Sequence, residues 1–166
     1  MKTIVTRMKT LVNNNRGEGG TLSYVKHVEI VHPQIALLNI SKSLLPSILI
    51  TPINTNEMWD ATQRRIEEHS VRAYLMMMYN QRELSIIGDA ARVQGKGILD
   101  FENDFASVFR GHRLAVDGTN YLAKPLDFSN IDYFDDNLSE DVFLLVAEIT
   151  MLCTRIRMQT ALPGNI

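Results

Sequence analysis

The spacing of apolar positions changes several times along the chain, and each change marks an element. In residues 1–14, Ile4, Met8, Leu11 and Val12 recur at i, i+4, i+7 and i+8, the single apolar stripe of a helix. Lys2, Arg7 and Lys9 take the rest of that surface. The run Asn13-Asn14-Asn15-Arg16-Gly17-Glu18-Gly19-Gly20 stops the helix, because Asn and Gly accept the left-handed backbone that ends one. Residues 21–32 are rich in β-branched and aromatic side chains and predict a strand, which Pro33 ends. Residues 34–45 read as an irregular crossing segment. Residues 47–51 (Ser-Ile-Leu-Ile-Thr) predict a short apolar strand bracketed by Pro46 and Pro52, since proline lacks the N–H a ladder needs.

Residues 53–68 are polar around Trp59 and read as either an extended hairpin or a mobile arm. Alternation returns in residues 69–79. Val71, Ala73, Leu75, Met77 and Tyr79 point one way, and Arg72, Tyr74, Met76 and Met78 the other. The first set is core. The second is semi-apolar and needs a cover, either a helix or another subunit. Residues 86–111 carry the central helical pattern. Ile98, Phe101, Phe105, Val108, Phe109 and His112 share its apolar side, while Asp100, Asn103, Asp104, Ser107 and Arg110 populate the opposite one. Gly95 and Gly97 each cost ~1 kcal/mol inside a helix, which predicts a break there, with a shorter helix from about Ile86 and a firmer one from Ile98 that Gly111 C-caps. Asp117-Gly118-Thr119-Asn120 is a turn. A strand over residues 126–134, a polar turn over 135–141 and the longest strand, 142–157, follow. Residues 158–166, with Pro163 and Gly164, read as a loose tail.

Composition narrows the class. The chain has 166 residues, 45% hydrophobic and 22% charged, which suits one globular domain with a real core. A net charge of −2 implies no general affinity for polyanions. The one cysteine, Cys153, has no intramolecular partner and lies in an apolar run, so it reads as a small buried residue in a reducing compartment. No apolar run approaches the ~20 residues of a membrane span, and the N-terminal residues read as a mature helix and not a signal peptide.

No catalytic, cofactor-binding or metal-binding constellation emerges. His27, His32, His69 and His112 lack ligand spacing. Asp100, Glu102 and Asp104 point in different directions on a helix and read as a solvated face. Gly95-Lys96-Gly97 is followed by Ile98, not Ser or Thr, and fails as a phosphate loop. Met76-Met77-Met78 reads as packing on both faces of a covered strand. Arg64 and Arg65, with Glu67 and Glu68 close behind, read as a solvated mixed-charge strand end.

The order of elements carries a resemblance. An N-terminal helix leads to a strand ending Val-Lys-His-Val-Glu-Ile-Val-His-Pro, and then to Leu45-Pro46-Ser47-Ile48-Leu49-Ile50. A long charged-to-apolar strand follows, then a helix containing Gly97-Ile98-Leu99-Asp100-Phe101-Glu102-Asn103-Asp104, a turn and a final long strand. From Met1 to Arg157 this resembles the tail terminator (tail completion, minor tail) proteins of long-tailed bacteriophages. The resemblance implies an α+β fold: a mainly antiparallel twisted sheet flanked by an N-terminal and a central helix. Length and composition, apart from the resemblance, give a single domain over residues 1–158, with the polar segment 53–68 as a candidate assembly arm and 159–166 as a flexible tail. The resemblance also implies a non-enzymatic virion protein without cofactors, assembled in the host cytoplasm and placed at the head–tail junction. Six copies would form a ring that caps the tail tube, ends its polymerisation and offers a docking surface to the head. Its partners would be itself, the tail tube protein and a head-completion or neck protein. Membranes are not implied, and nucleic acid enters only as DNA passing through the lumen.

The residue chemistry agrees with a protein that works through surfaces: strong strands, a semi-apolar second face and near-neutral charge. Candidate assembly residues are Trp59, Arg64, Arg65 and Arg72, from side-chain types favoured at interfaces and the exposure expected of them. A head-completion or neck connector is the alternative within the same class. A small cytoplasmic enzyme with a site of dispersed residues is the alternative outside it.

Overall fold

The computed structural model describes residues 1–32, 40–60, 64–79, 86–88, 95–110, 114–117, 120–121, 126–139 and 142–157. Helix α1 (Lys2–Asn14) and helix α2 (Ile98–Phe109) pack on one face of a five-stranded mixed sheet. Its strands are β1 (His27–Ile30), β2 (Ser47–Trp59), β3 (Arg65–Tyr79), β6 (Asp127–Ser139) and β7 (Val142–Arg157), in the order β1-β2-β3-β7-β6. A small ladder joins β4 (Ala115–Asp117) to β5 (Asn120–Tyr121). The architecture is α+β. The sheet is antiparallel except for one strand pair, because β1 runs parallel to β2.

Both helices form where the apolar stripes lie. In α1 the stripe buries Ile4, Met8 and Val12, with Val5 beside them and Leu11 at its margin. In α2, Ile98, Phe101, Phe105, Ala106 and Phe109 are buried and Val108 is half-buried. His112 and Gly111 lie outside the described residues. Ile86 and Ile87 are helical, Gly88 and residues 95–97 are not, and α2 starts at Ile98 as expected; residues 89–94 lie outside the described residues. The Asp100 carboxylate accepts a hydrogen bond from the Gly97 N–H at 3.1 Å, which answers one of the unpaired donors at the helix start. That contact fills the N-terminus of α2 with the chain's own anion, so the Gly95-Lys96-Gly97 stretch presents no vacant phosphate cradle. Tyr24 holds the other side of α2. Its ring meets Phe101 edge-on at 5.4 Å, and its hydroxyl donates to Asp104 at 2.9 Å, where Lys96 also pairs. Burial, and then the Asp104 charge, push the Tyr24 pKa well above the ordinary value, so it remains a donor.

The two faces of β3 behave as their alternation requires. Val71, Ala73, Leu75 and Met77 join the main core under the helices, together with Ile48, Ile50, Ile149 and Met151. Tyr74 and Met76 join a second, smaller core with Leu49, Leu144 and Val146 on the opposite face. Part of the β1–β2 connection covers this face, where a helix or a second subunit was expected: Leu45 belongs to this core and Val31 and Ile40 pack on it.

Three expectations are corrected. The strand anticipated over 21–32 is only the four residues of β1. Residues 21–24 make successive turns instead, with Leu22 N–H bonded to Asn15 and Val25 N–H to Leu22. Pro52 does not end β2, which runs seven residues beyond it to Trp59. β1 pairs with β2 only as far as Ile50, so past that point β2 has no partner on that side among the described residues, and the register slips between Pro52 and Asn54 as at a bulge. Open edges and bulges are where a sheet tolerates proline. Finally, residues 135–139 are not a turn but the end of β6, paired with β7 through Ser139↔Val142. As an edge strand, β6 keeps polar and charged side chains at little cost.

Cys153 is fully buried at the far end of the main core, and burial pushes its thiol pKa up to about 12. The thiolate is the reactive form. Cys153 is therefore expected to resist a maleimide in the native protein at neutral pH and to label fully in denaturant. Native labelling on the timescale of a free thiol, read by mass spectrometry, would contradict this placement.

Candidate assembly surface

Beyond the helices, β2, β3 and β7 continue together as a three-stranded extension. Residues 53–59 of β2 are all exposed, whereas residues 47–51 are all buried. The segment 53–68, read from sequence as hairpin or arm, is here the outer half of the β2–β3 hairpin.

Three of the four sequence-named residues meet at its tip. Trp59 sits opposite Arg65, which sits opposite Arg157 on β7. Trp59 is 59% exposed. Arg64 closes the loop against Asp60: its N–H donates to the Asp60 carboxylate at 2.9 Å, its Nε pairs with the other oxygen at 3.2 Å, and the Asp60 N–H donates to its carbonyl at 3.0 Å. Arg72 is elsewhere. It lies seven positions back along β3, roughly 23 Å at strand rise, and on the opposite face. There it pairs with Glu148 at 2.8 Å and reaches the Tyr74 hydroxyl at 3.3 Å.

The tip also holds residues that sequence reasoning passed over. Met58, Ile66 and Ile156 are cross-strand partners, so they form one apolar row on the face opposite Arg65. Met58 is 47% and Ile156 46% exposed. Such a row on a strand extension is a candidate contact surface. Parity was the available signal: Ile66 shares the even positions of β3 with Tyr74 and Met76.

The same parity explains a second surprise. Glu67 and His69 share the odd positions of Val71 and Ala73, and both are buried, so the solvated strand end expected here is corrected. Glu67 is compensated by Arg157 at 3.0 Å and Arg65 at 3.3 Å, and Arg65 also pairs with Glu57. A buried carboxylate without such partners would neutralise. His69 Nδ1 lies 2.8 Å from the Thr55 hydroxyl, and its Nε2 approaches Glu67 at 3.4 Å without a hydrogen bond. Thr55, His69 and Glu67 thus stand in the order nucleophile, base, acid. Two arginines already share the Glu67 charge, however, and its pull on the His69 proton is not enough to make the imidazole more basic than usual. Burial lowers the His69 pKa below its ordinary value, helped by the amino terminus and Arg155, and outweighs the opposing pull of Glu67.

The sign of the resulting pH dependence follows. With its folded pKa below the unfolded value of about 6.5, His69 binds its proton more readily in the unfolded chain. Stability at this site is complete above about pH 6.5 and declines as the pH falls below it. His69→Gln keeps a polar partner for Thr55 without titrating. It is expected to flatten the loss of stability between about pH 7 and pH 5, read from urea midpoints. An unchanged slope would remove His69 from the account.

Comparison with protein-family models and with curated proteins finds no match. What this surface does must therefore be argued from its residues. No helix among the described residues is long and apolar enough to cross a membrane. Among the described residues no group of three or more His, Cys, Asp or Glu is placed to hold a metal ion.

Proposed function

We propose that this chain is a ring-forming tail terminator of a long-tailed bacteriophage: a structural, non-enzymatic virion protein that caps the tail tube, ends its polymerisation and presents a docking surface to the head. The carrying observation is the three-stranded extension of β2, β3 and β7 with its exposed Met58, Trp59 and Ile156. An exposed Trp beside arginines and an apolar row suits binding of another protein. The sequence resemblance supports the same reading. Its telling pieces occupy defined places, with Leu45-Pro46-Ser47 leading into β2 and Gly97-Ile98-Leu99-Asp100 forming the start of α2. The partners proposed are further copies in a six-membered ring, the tail tube protein, and a head-completion or neck protein, with DNA passing through the lumen. The site is the head–tail junction, reached by assembly in the host cytoplasm.

Electron microscopy of particles assembled without this chain tests the reading. Overlong tubes that are not joined to heads are expected. Tails of normal length beside full heads would make the chain a neck connector instead, and normal joined virions would overturn both.

A further inference from the structure

The net charge of −2 averages two unlike parts of the chain. Residues 1–56 carry six cations, Lys2, Arg7, Lys9, Arg16, Lys26 and Lys42, against two carboxylates, Glu18 and Glu29. Residues 57–166 carry eleven cations against seventeen carboxylates. The first part forms α1, β1 and the inner half of β2, which make up one flank of the molecule. Helix α1 concentrates its charge. Lys2, Thr6, Lys9 and Asn13 recur at i, i+4, i+7 and i+11 and so form one row along the helix. Thr3, Arg7, Thr10 and Asn14 form the row beside it. Seven of these eight are exposed and Lys9 is half-buried. The only charges among them are positive, and none of the three is paired with a carboxylate among the described residues.

Helix stability does not ask for this arrangement. The helix dipole favours acids in the first turn and bases in the last. The first turn of α1 holds Lys2 and no acid, and its last turn has no base. The chemistry of the two rows narrows what they fit. A surface that docks protein has an apolar or aromatic centre, and these rows contain neither kind of residue. A helix that lies in a membrane surface needs its apolar side free, and the apolar side of α1 is in the core. Lysine and arginine interleaved with threonine and asparagine are the side chains that hold phosphate oxygens. Lys2 and Lys9 lie roughly 10 Å apart at helix rise, about one screening length at ~0.1 M salt, so their fields add.

We propose that the exposed side of α1 is a docking surface for the phosphate backbone of duplex DNA, held through charge and without reading sequence. The acidic remainder of the chain repels the same polyanion, which confines the contact to this flank and keeps it weak. That DNA is the polyanion this protein meets rests on the proposed function. The affinity itself does not, and the purified chain tests it.

The test is fluorescence anisotropy of a labelled mixed-sequence duplex of about 20 base pairs, titrated with the full chain between about 20 and 150 mM salt. Neutralising three phosphates makes log K fall against log salt with a slope of about −2.7. Lys9→Gln alone is expected to reduce that slope by about 1, whereas Arg110→Gln, an exposed arginine just beyond α2, leaves it unchanged. K2Q/R7Q/K9Q is expected to lose binding and K2R/K9R to keep it, each with the urea midpoint of the wild type. No binding by the wild-type chain at low salt, undiminished binding by K2Q/R7Q/K9Q, or an equal loss in Arg110→Gln would each overturn the proposal. Binding of polyglutamate or of phosphatidylglycerol vesicles in place of the duplex would overturn it in favour of an acidic protein or a membrane surface. Wild-type oligomers that K2Q/R7Q/K9Q dissolves, with no duplex bound, would overturn it in favour of a second copy of this chain. Overlong tails in particles lacking the chain, together with no duplex binding, would sink this inference and leave the terminator reading standing. Duplex binding with normal joined virions would do the reverse.

Discussion

Phe105→Ala is expected to cost about 3–5 kcal/mol of folding stability, the usual price of removing a buried aromatic ring. Phe105 is fully buried at the centre of α2 and meets Phe109 edge-on at 5.1 Å. The ring is part of the layer that seats α2 on β3 and β7, and interiors this tightly packed relax only partly around a void. Domains of this size have a total stability of ~5–15 kcal/mol, so the variant should have a much lower urea midpoint with an unchanged slope. Phe105→Leu, which refills most of the volume, is expected to lose much less. A loss under ~1 kcal/mol for the alanine variant would mean that α2 is not seated as described.

Gly97→Ala is expected to destabilise by about 1–3 kcal/mol through overpacking. Conformation is not the cause, because the Gly97 backbone is extended at φ −87°, which alanine adopts freely. The N-cap position adds roughly 0.5–1 kcal/mol of this, because glycine is a better N-cap than alanine. Space is the larger cause: a Cβ at Gly97 would run into the Ile86 carbonyl and the Gly88 N–H. Both are backbone, so neither can swing aside as a side chain would. Gly88→Ala tests the same contact from the other side and adds strain, because Gly88 has φ +80° and its Cβ would meet the Gly97 nitrogen at 2.8 Å. Chemical denaturation should therefore rank wild type above Gly97→Ala, and Gly97→Ala above Gly88→Ala. Equal stabilities would show that the turn before α2 opens without cost.

Where the sequence is legible, a single physical rule dominates. The α1 stripe, the face of α2 and the two sides of β3 are set by periodic burial, and α1 is only one residue shorter than its pattern and β7 matches its own. The rule fails where pairing, not burial, sets the structure. Pro52 looks like a terminator until one knows that β1 has already ended. The polar end of β6 looks like a turn until β7 is beside it. Residues 21–24 have strand-like side chains, yet local turn hydrogen bonds take them first. At the tip the reading was partial. Residue type found Trp59, Arg64 and Arg65 but grouped them with Arg72, which only three-dimensional placement separates. Met58, Ile66 and Ile156 come from three different strands, and no linear spacing joins them. Glu67 and His69 were hidden for a related reason: charge suggests solvent, and only the odd-position alternation of β3 carries them inward.

The slip between Pro52 and Asn54 sets one more property of the molecule. A bulge adds one residue to one strand, bends it and increases its local twist, while the pairing on either side stays in step. Here the extra residue is Ile53, so the rungs from Asn54↔Ser70 to Trp59↔Arg65 would survive its removal unchanged. What would change is the heading of the outer hairpin relative to the body of the sheet. Direction and pairing are thus written at separate places in the chain. A length change of one residue at Ile53 can re-aim the tip, and with it the angle at which it presents Trp59, without exchanging any side chain that the tip carries.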